Sequence, residues 1–127
     1  MKLELETCIN LIKKVTDVDI KLFRSPYGAY NNTSIEVAKS LGMLTVQWDV
    51  DSLDWKGISA SKICDRVLKG VKNGSIILFH NNSDYILDAL PIVLDRLILK
   101  GFRIVNVGNL VAFDNFEISR AGVQKKL

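Results

Sequence analysis

Three times along the chain a short apolar run ends in a polar loop and passes into a helical pattern of ten residues or more. The runs are DIKLF (19–23), MLTVQW (43–48) and SIILF (75–79). The helical patterns are TSIEVAKSLG (33–42), SASKICDRVLKGVK (59–72) and YILDALPIVLDRLILKG (85–101). A fourth run, FRIVNV (102–107), follows the last helix. Strands separated by helices of this length are not hairpins; they pair in parallel through right-handed crossovers. The expected class is α/β, with about four parallel strands alternating with helices, as a sheet or a section of a barrel.

The helical segments carry their own start and stop signals. ELETCINLIKKV (4–15) places Leu5, Cys8, Ile9, Ile12 and Val15 at helical spacing, with Lys13 and Lys14 on the outer face. Thr33 reads as an N-cap with Glu36 three residues on and Gly42 as the stop; Asn73-Gly74 closes the next helix. Pro91 falls inside the last pattern, where it either kinks the helix or marks its first turn. Periodicity fades after Phe116, so 114–127 is expected to fray.

A chain of 127 residues fits a single domain over 1–127. Its 17 basic and 14 acidic side chains are spread along the sequence and give a net charge of only +3. With no basic stripe interleaved with exposed aromatics, nucleic acid is not an expected partner. Cys8 and Cys64 form no CxxC pair and are expected as ordinary buried thiols. The N-terminal stretch has acidic residues where a signal peptide would be apolar, and no run reaches the roughly 20 apolar residues of a membrane span. The compartment stays open.

The unusual polar residues gather just after the apolar runs: Arg24 to Asn31, Asp49 to Trp55, and His80 to Asp84. In parallel α/β folds such loops share the C-terminal end of the strands, where ligands bind. His80, the only histidine, is either a satisfied structural residue or an acid for acyl transfer, in which case a carboxylate on its other nitrogen would fix its tautomer. Asp49, Asp51 and Asp54 either cap turns in a solvated loop or serve chemistry, a cation site included. Two tryptophans beside them favour packing in a core or against a ligand such as a sugar ring. Arg24, Pro26 and Gly28 alone would make a plain turn.

Taken together and in order, these residues resemble three motifs of the polysaccharide deacetylases of the NodB-homology type, carbohydrate esterase family 4. Arg-x-Pro-Tyr is matched by Arg24, Pro26 and Tyr27, Asp-x-x-Asp-Trp by Asp51, Asp54 and Trp55, and Leu-x-His by Leu78 and His80. The resemblance covers roughly residues 4–107 and looks like the C-terminal portion of that domain. It implies a partial (β/α) barrel of the NodB type and removal of N- or O-acetyl groups from a carbohydrate polymer of the peptidoglycan, chitin or xylan kind. It further implies His80 as general acid, Asp54 holding and tuning it, the Tyr27 backbone N–H on the oxyanion, and Arg24 paired with the catalytic base. Pro26 would set that oxyanion geometry, and Trp55 and Leu78 would wall the acetyl pocket.

The family's other two motifs, Thr-Phe-Asp-Asp and His-[Ser/Thr]-x-x-His, supply the base and the ligands of a divalent metal, usually zinc. Neither is present, so no metal ligand and no cofactor is expected in this chain. Two readings follow from the resemblance: a portion of a hydrolase, or a truncated, non-catalytic relative that binds a glycan or a partner chain. A four-strand section leaves open edges, which suggests self-association or pairing with the missing N-terminal half. An unrelated doubly wound binding domain would not account for three ordered motifs, and no GxGxxG or GxxxxGK loop points to a nucleotide. Family relatives usually act outside the cytoplasm.

Overall fold

A computed structural model describes residues 1–127, and it resolves into two compact units: Met1–Gln47 with Val111–Leu127, and Trp48–Leu110.

The first unit opens with α1 (Lys2–Thr16), whose amphipathic pattern is as expected but which buries none of its residues. Cys8 is consequently exposed, correcting the expectation of two buried thiols. Next come β1 (Leu22–Phe23), a 3-10 turn (Pro26–Gly28), α2 (Asn32–Ser40) and β2 (Leu44–Thr45). β1 and β2 pair in parallel, Leu22 opposite Leu44 and Phe23 opposite Thr45. Ala38 of α2 and Met43, just before β2, are buried here.

The α2 N-cap is Asn31, not Thr33. Asn31 Oδ1 accepts the Ser34 N–H and Ser34 Oγ accepts the Asn31 N–H, both at 2.9 Å. A capping box with the anticipated three-residue spacing therefore starts two residues earlier, because asparagine and serine close both bonds locally. The first unit ends in β5 (Phe116–Ile118) and β6 (Gln124–Lys126), an antiparallel pair where fraying was expected. The turn closes at Gly122 (φ 74), whose N–H reaches the Ser119 carbonyl, and the Gln124 amide bonds both the N–H and the carbonyl of Ala112.

The second unit contains β3 (Val50–Asp51), a 3-10 turn (Asp54–Lys56), α3 (Ala60–Gly70), β4 (Ile77–Leu78), α4 (Ile86–Leu99) and α5 (Val107–Leu110). β3 and β4 pair in parallel, Val50 opposite Ile77 and Asp51 opposite Leu78. The pairing thus includes Val50–Asp51, which the sequence assigned to a loop. FRIVNV, expected as a fourth strand, pairs with nothing over 102–106 and enters α5 at Val107; β propensity alone makes no strand without a neighbour to accept its bonds.

The core of this unit is Val50, Ile63, Cys64, Val67, Ala89, Val93 and Leu97. Ala89, Val93 and Leu97 recur every four residues on α4 and meet the Ile63/Cys64/Val67 face of α3, as helical spacing dictates. Burial pushes the Cys64 thiol above its ordinary value. Pro91 stands inside α4, and no helix is long and apolar enough to cross a membrane.

Candidate functional site

The residues singled out in the sequence fall in both units. Arg24, Pro26 and Tyr27 are in the first; Asp54, Trp55, Leu78 and His80 are in the second.

In the first unit the Arg-x-Pro-Tyr segment leaves β1 and turns at once. Pro26 opens the 3-10 turn, where its missing N–H costs nothing. Tyr27 then takes the left-handed conformation (φ 57, ψ 10) with its side chain fully in solvent. A non-glycine residue in that region is held there by its surroundings at an energetic cost. One restraint is visible: Gln47 Nε2 donates to the Gly28 carbonyl at 2.8 Å.

In the second unit the Asp-x-x-Asp-Trp segment leaves β3 through a turn flanked by two left-handed residues, Leu53 (φ 55) and Gly57 (φ 65). The Asp54 side chain is 0% exposed, and both of its oxygens go to one residue. Oδ2 accepts the His80 main-chain N–H at 2.7 Å, and Oδ1 lies 2.7 Å from His80 Nδ1. Burial alone would raise the Asp54 pKa; bonds from the His80 ring and N–H and from the Ser52 hydroxyl, with the charge of the ring when protonated, hold it below the usual carboxylate value. An ionised carboxylate only accepts, so His80 Nδ1 carries the proton and Nε2 is left for chemistry. The His80 side chain is 39% exposed.

Trp55 is 56% exposed, with the Lys56 ammonium 5.1 Å from its ring centroid; Leu78 is buried. Asp49 and Asp51 have structural partners instead. Asp51 Oδ1 accepts the Leu53 N–H and so caps its own turn, as one alternative had it, whereas Asp49 accepts from Ser75 Oγ and the Ile76 N–H, just before β4 and far from its own loop in sequence. No group of three or more His, Cys, Asp or Glu side chains comes together to hold a metal ion, and the single histidine already gives one nitrogen to Asp54. The residues present therefore do not fit the zinc of the complete family site.

Sequence reading missed Ser52 and Ser83. Ser52 Oγ accepts the Asp54 N–H at 3.3 Å, and Ser83 Oγ donates to the Asp54 carbonyl at 3.0 Å. The Ser52 contact spans two residues and follows a common serine turn pattern; the Ser83 contact is long-range and has no sequence signature.

Comparison with known proteins points to one family. The polysaccharide deacetylase family model matches residues 1–46. A peptidoglycan-N-acetylglucosamine deacetylase of Bacillus cereus is 36% identical over 94 residues, which cover 71% of this chain and 34% of that protein. A bifunctional xylanase/xylan deacetylase of Cellvibrio japonicus is 47% identical over 62 residues, 49% of this chain and 9% of that protein. Among solved structures, a pseudoenzyme of carbohydrate esterase family 4 from Bacillus anthracis superposes with a TM-score of 0.81 at 25% identity, over 89% of this chain and 39% of that one. The chain thus spans about a third or less of these two curated relatives. With the α/β order of parallel strands and helices described above, these matches assign the family: the chain belongs to the polysaccharide deacetylases of the NodB-homology type, carbohydrate esterase family 4, and carries part of that domain.

Proposed function

We propose that this chain supplies the acid half of a carbohydrate deacetylase, a hydrolase that removes N- or O-acetyl groups from a polymer of the peptidoglycan, chitin or xylan type. The observation that carries the reading is the Asp54–His80 pair: a buried anion on Nδ1 and an imidazole edge open to solvent. His80 Nε2 protonates the departing amine or alkoxide, and Asp54 holds the ring in the tautomer that step requires. The remaining roles follow the family motifs, with the Tyr27 N–H on the oxyanion, Arg24 on the catalytic base, Pro26 shaping the loop, and Trp55 and Leu78 against the acetyl group and sugar. Metal and base come from the motifs absent here, and no step is assigned to a metal on this chain.

The test restores those motifs by co-expression with a family segment carrying the Asp-Asp and His-x-x-His motifs, and measures acetate release from each acetylated polymer. His80→Ala should lower the rate by about two orders of magnitude or more. Unchanged turnover would remove His80 from the mechanism.

A second reading, a non-catalytic relative that binds glycan or a partner chain, is supported by the likeness to the solved structure described as a pseudoenzyme. Residues 102–106 pair with no strand and leave Ile104 and Val105 exposed, apolar surface that such a partner or a second copy would cover.

A further inference from the structure

The turn that carries Asp54 is not self-sufficient. Leu53 holds a left-handed conformation that leucine seldom adopts, so neighbouring groups must keep the turn in shape. Asp51 Oδ1 takes the Leu53 N–H at 2.9 Å, Arg66 Nε of α3 donates to the Asp51 carbonyl at 2.7 Å, and Ser52 Oγ takes the Asp54 N–H at 3.3 Å. All three restraints come from β3, its turn or α3. None reaches the loop of His80.

The Asp54 carboxylate reaches that loop at His80 alone. A loop held at a single residue still turns about it, and the imidazole turns with it. Ser83 provides a second anchor three residues further on, its hydroxyl donating to the Asp54 carbonyl at 3.0 Å. The loops also run close together beside it: a Cβ built on Gly57 would sit 3.8 Å from Asp84 Oδ2.

We infer that Ser83 is a positioning residue whose hydroxyl, bound to the main-chain carbonyl of Asp54, locks the His80 loop to the Asp54 turn and so fixes where Nε2 points. The inference rests on the reading of His80 as the proton donor and extends it to a residue outside the family motifs. Ser83 acts through Asp54 and His80.

The test is proton NMR of the 127-residue chain. A ring N–H bonded to a carboxylate gives a far-downfield resonance whose exchange with water reports how firmly the ring is held. Ser83→Ala should speed that exchange about tenfold, the factor that a hydrogen bond of ordinary net strength provides. Ser83→Thr, which keeps the hydroxyl, should return it to about the original rate. An Ala variant exchanging within about twofold of the unsubstituted chain overturns the inference. Should that variant fail to fold, Ser83→Cys, close in size and a weak donor, is read with the same two outcomes. A resonance absent from the unsubstituted chain would remove the Asp54–His80 bond and this inference together. A firm, Ser83-dependent resonance with no acetate release in the restored assay would count against the proposed function alone.

Discussion

Asp54 grips His80 at two points, main-chain N–H and ring Nδ1, each 2.7 Å from a different carboxylate oxygen. Holding the backbone and the ring of one residue with one planar group fixes the imidazole relative to its own main chain.

Asp54→Asn keeps the size of the side chain but replaces one acceptor oxygen with an NH2 group. That group meets either the His80 main-chain N–H or ring Nδ1. If it meets the main-chain N–H, two buried donors face each other; if it meets Nδ1, the ring must change tautomer. The expected cost is about 1–3 kcal/mol, measured by urea unfolding at neutral pH. A variant as stable as the original would mean that the bonds contribute nothing net.

The lowered pKa of Asp54 sets a pH dependence. A carboxyl whose folded pKa lies below its unfolded value of 3.8 stabilises the protein fully above that value and loses the contribution as pH falls through the folded pKa. Unfolding free energy should therefore decline below about pH 4, and the decline should be shallower in Asp54→Asn. Parallel acid limbs in the two proteins would exclude Asp54 as a source.

Ile63 is fully buried between α3 and α4. Ile63→Ala should cost about 2–5 kcal/mol, through lost transfer energy and the cavity left behind. Against a typical total of about 5–15 kcal/mol this is a large drop in thermal midpoint, readable by circular dichroism.

Tyr27 separates backbone from side chain. Its ring is fully exposed while its backbone is left-handed, so Tyr27→Gly should leave the thermal midpoint unchanged or raise it, and Tyr27→Val should lower the midpoint by destabilising the fold by about 1 kcal/mol or more. Equal midpoints in all three proteins would show that the turn relaxes in solution.

Zinc stoichiometry tests the donor set. Dialysed against limiting zinc, the purified chain should bind close to no metal per chain by mass spectrometry, because no suitable side-chain group forms. One tightly bound zinc per chain would show that ligands reorganise, and would restore metal chemistry to these residues.

Much of this was legible in the sequence where the physics is local or repeats. The helical pattern over 85–101 announced α4, and the alternation of apolar runs with helices announced parallel pairing. Asp54 and His80 lie 26 residues apart; only the family motifs joined them in advance. What escaped depends on partners distant in sequence. FRIVNV has every local mark of a strand and lacks a neighbour, while QKK has few such marks and pairs with FEI because the Gly122 turn brings it back. Cys8 sits on an apolar stripe that is at most half-buried, at Leu5 and Ile9, and pattern alone does not say how far a stripe is covered.

The unequal exposure of the pair has a practical side. Asp54 lies wholly inside, so a carbodiimide in solution finds no carboxylate to activate there, whereas an acylating reagent selective for imidazole finds the ring. Because the chain has one histidine and its Nδ1 is occupied by Asp54, such a reagent modifies a single atom, Nε2. The absorbance it leaves is a direct count of chains in which that nitrogen faces solvent.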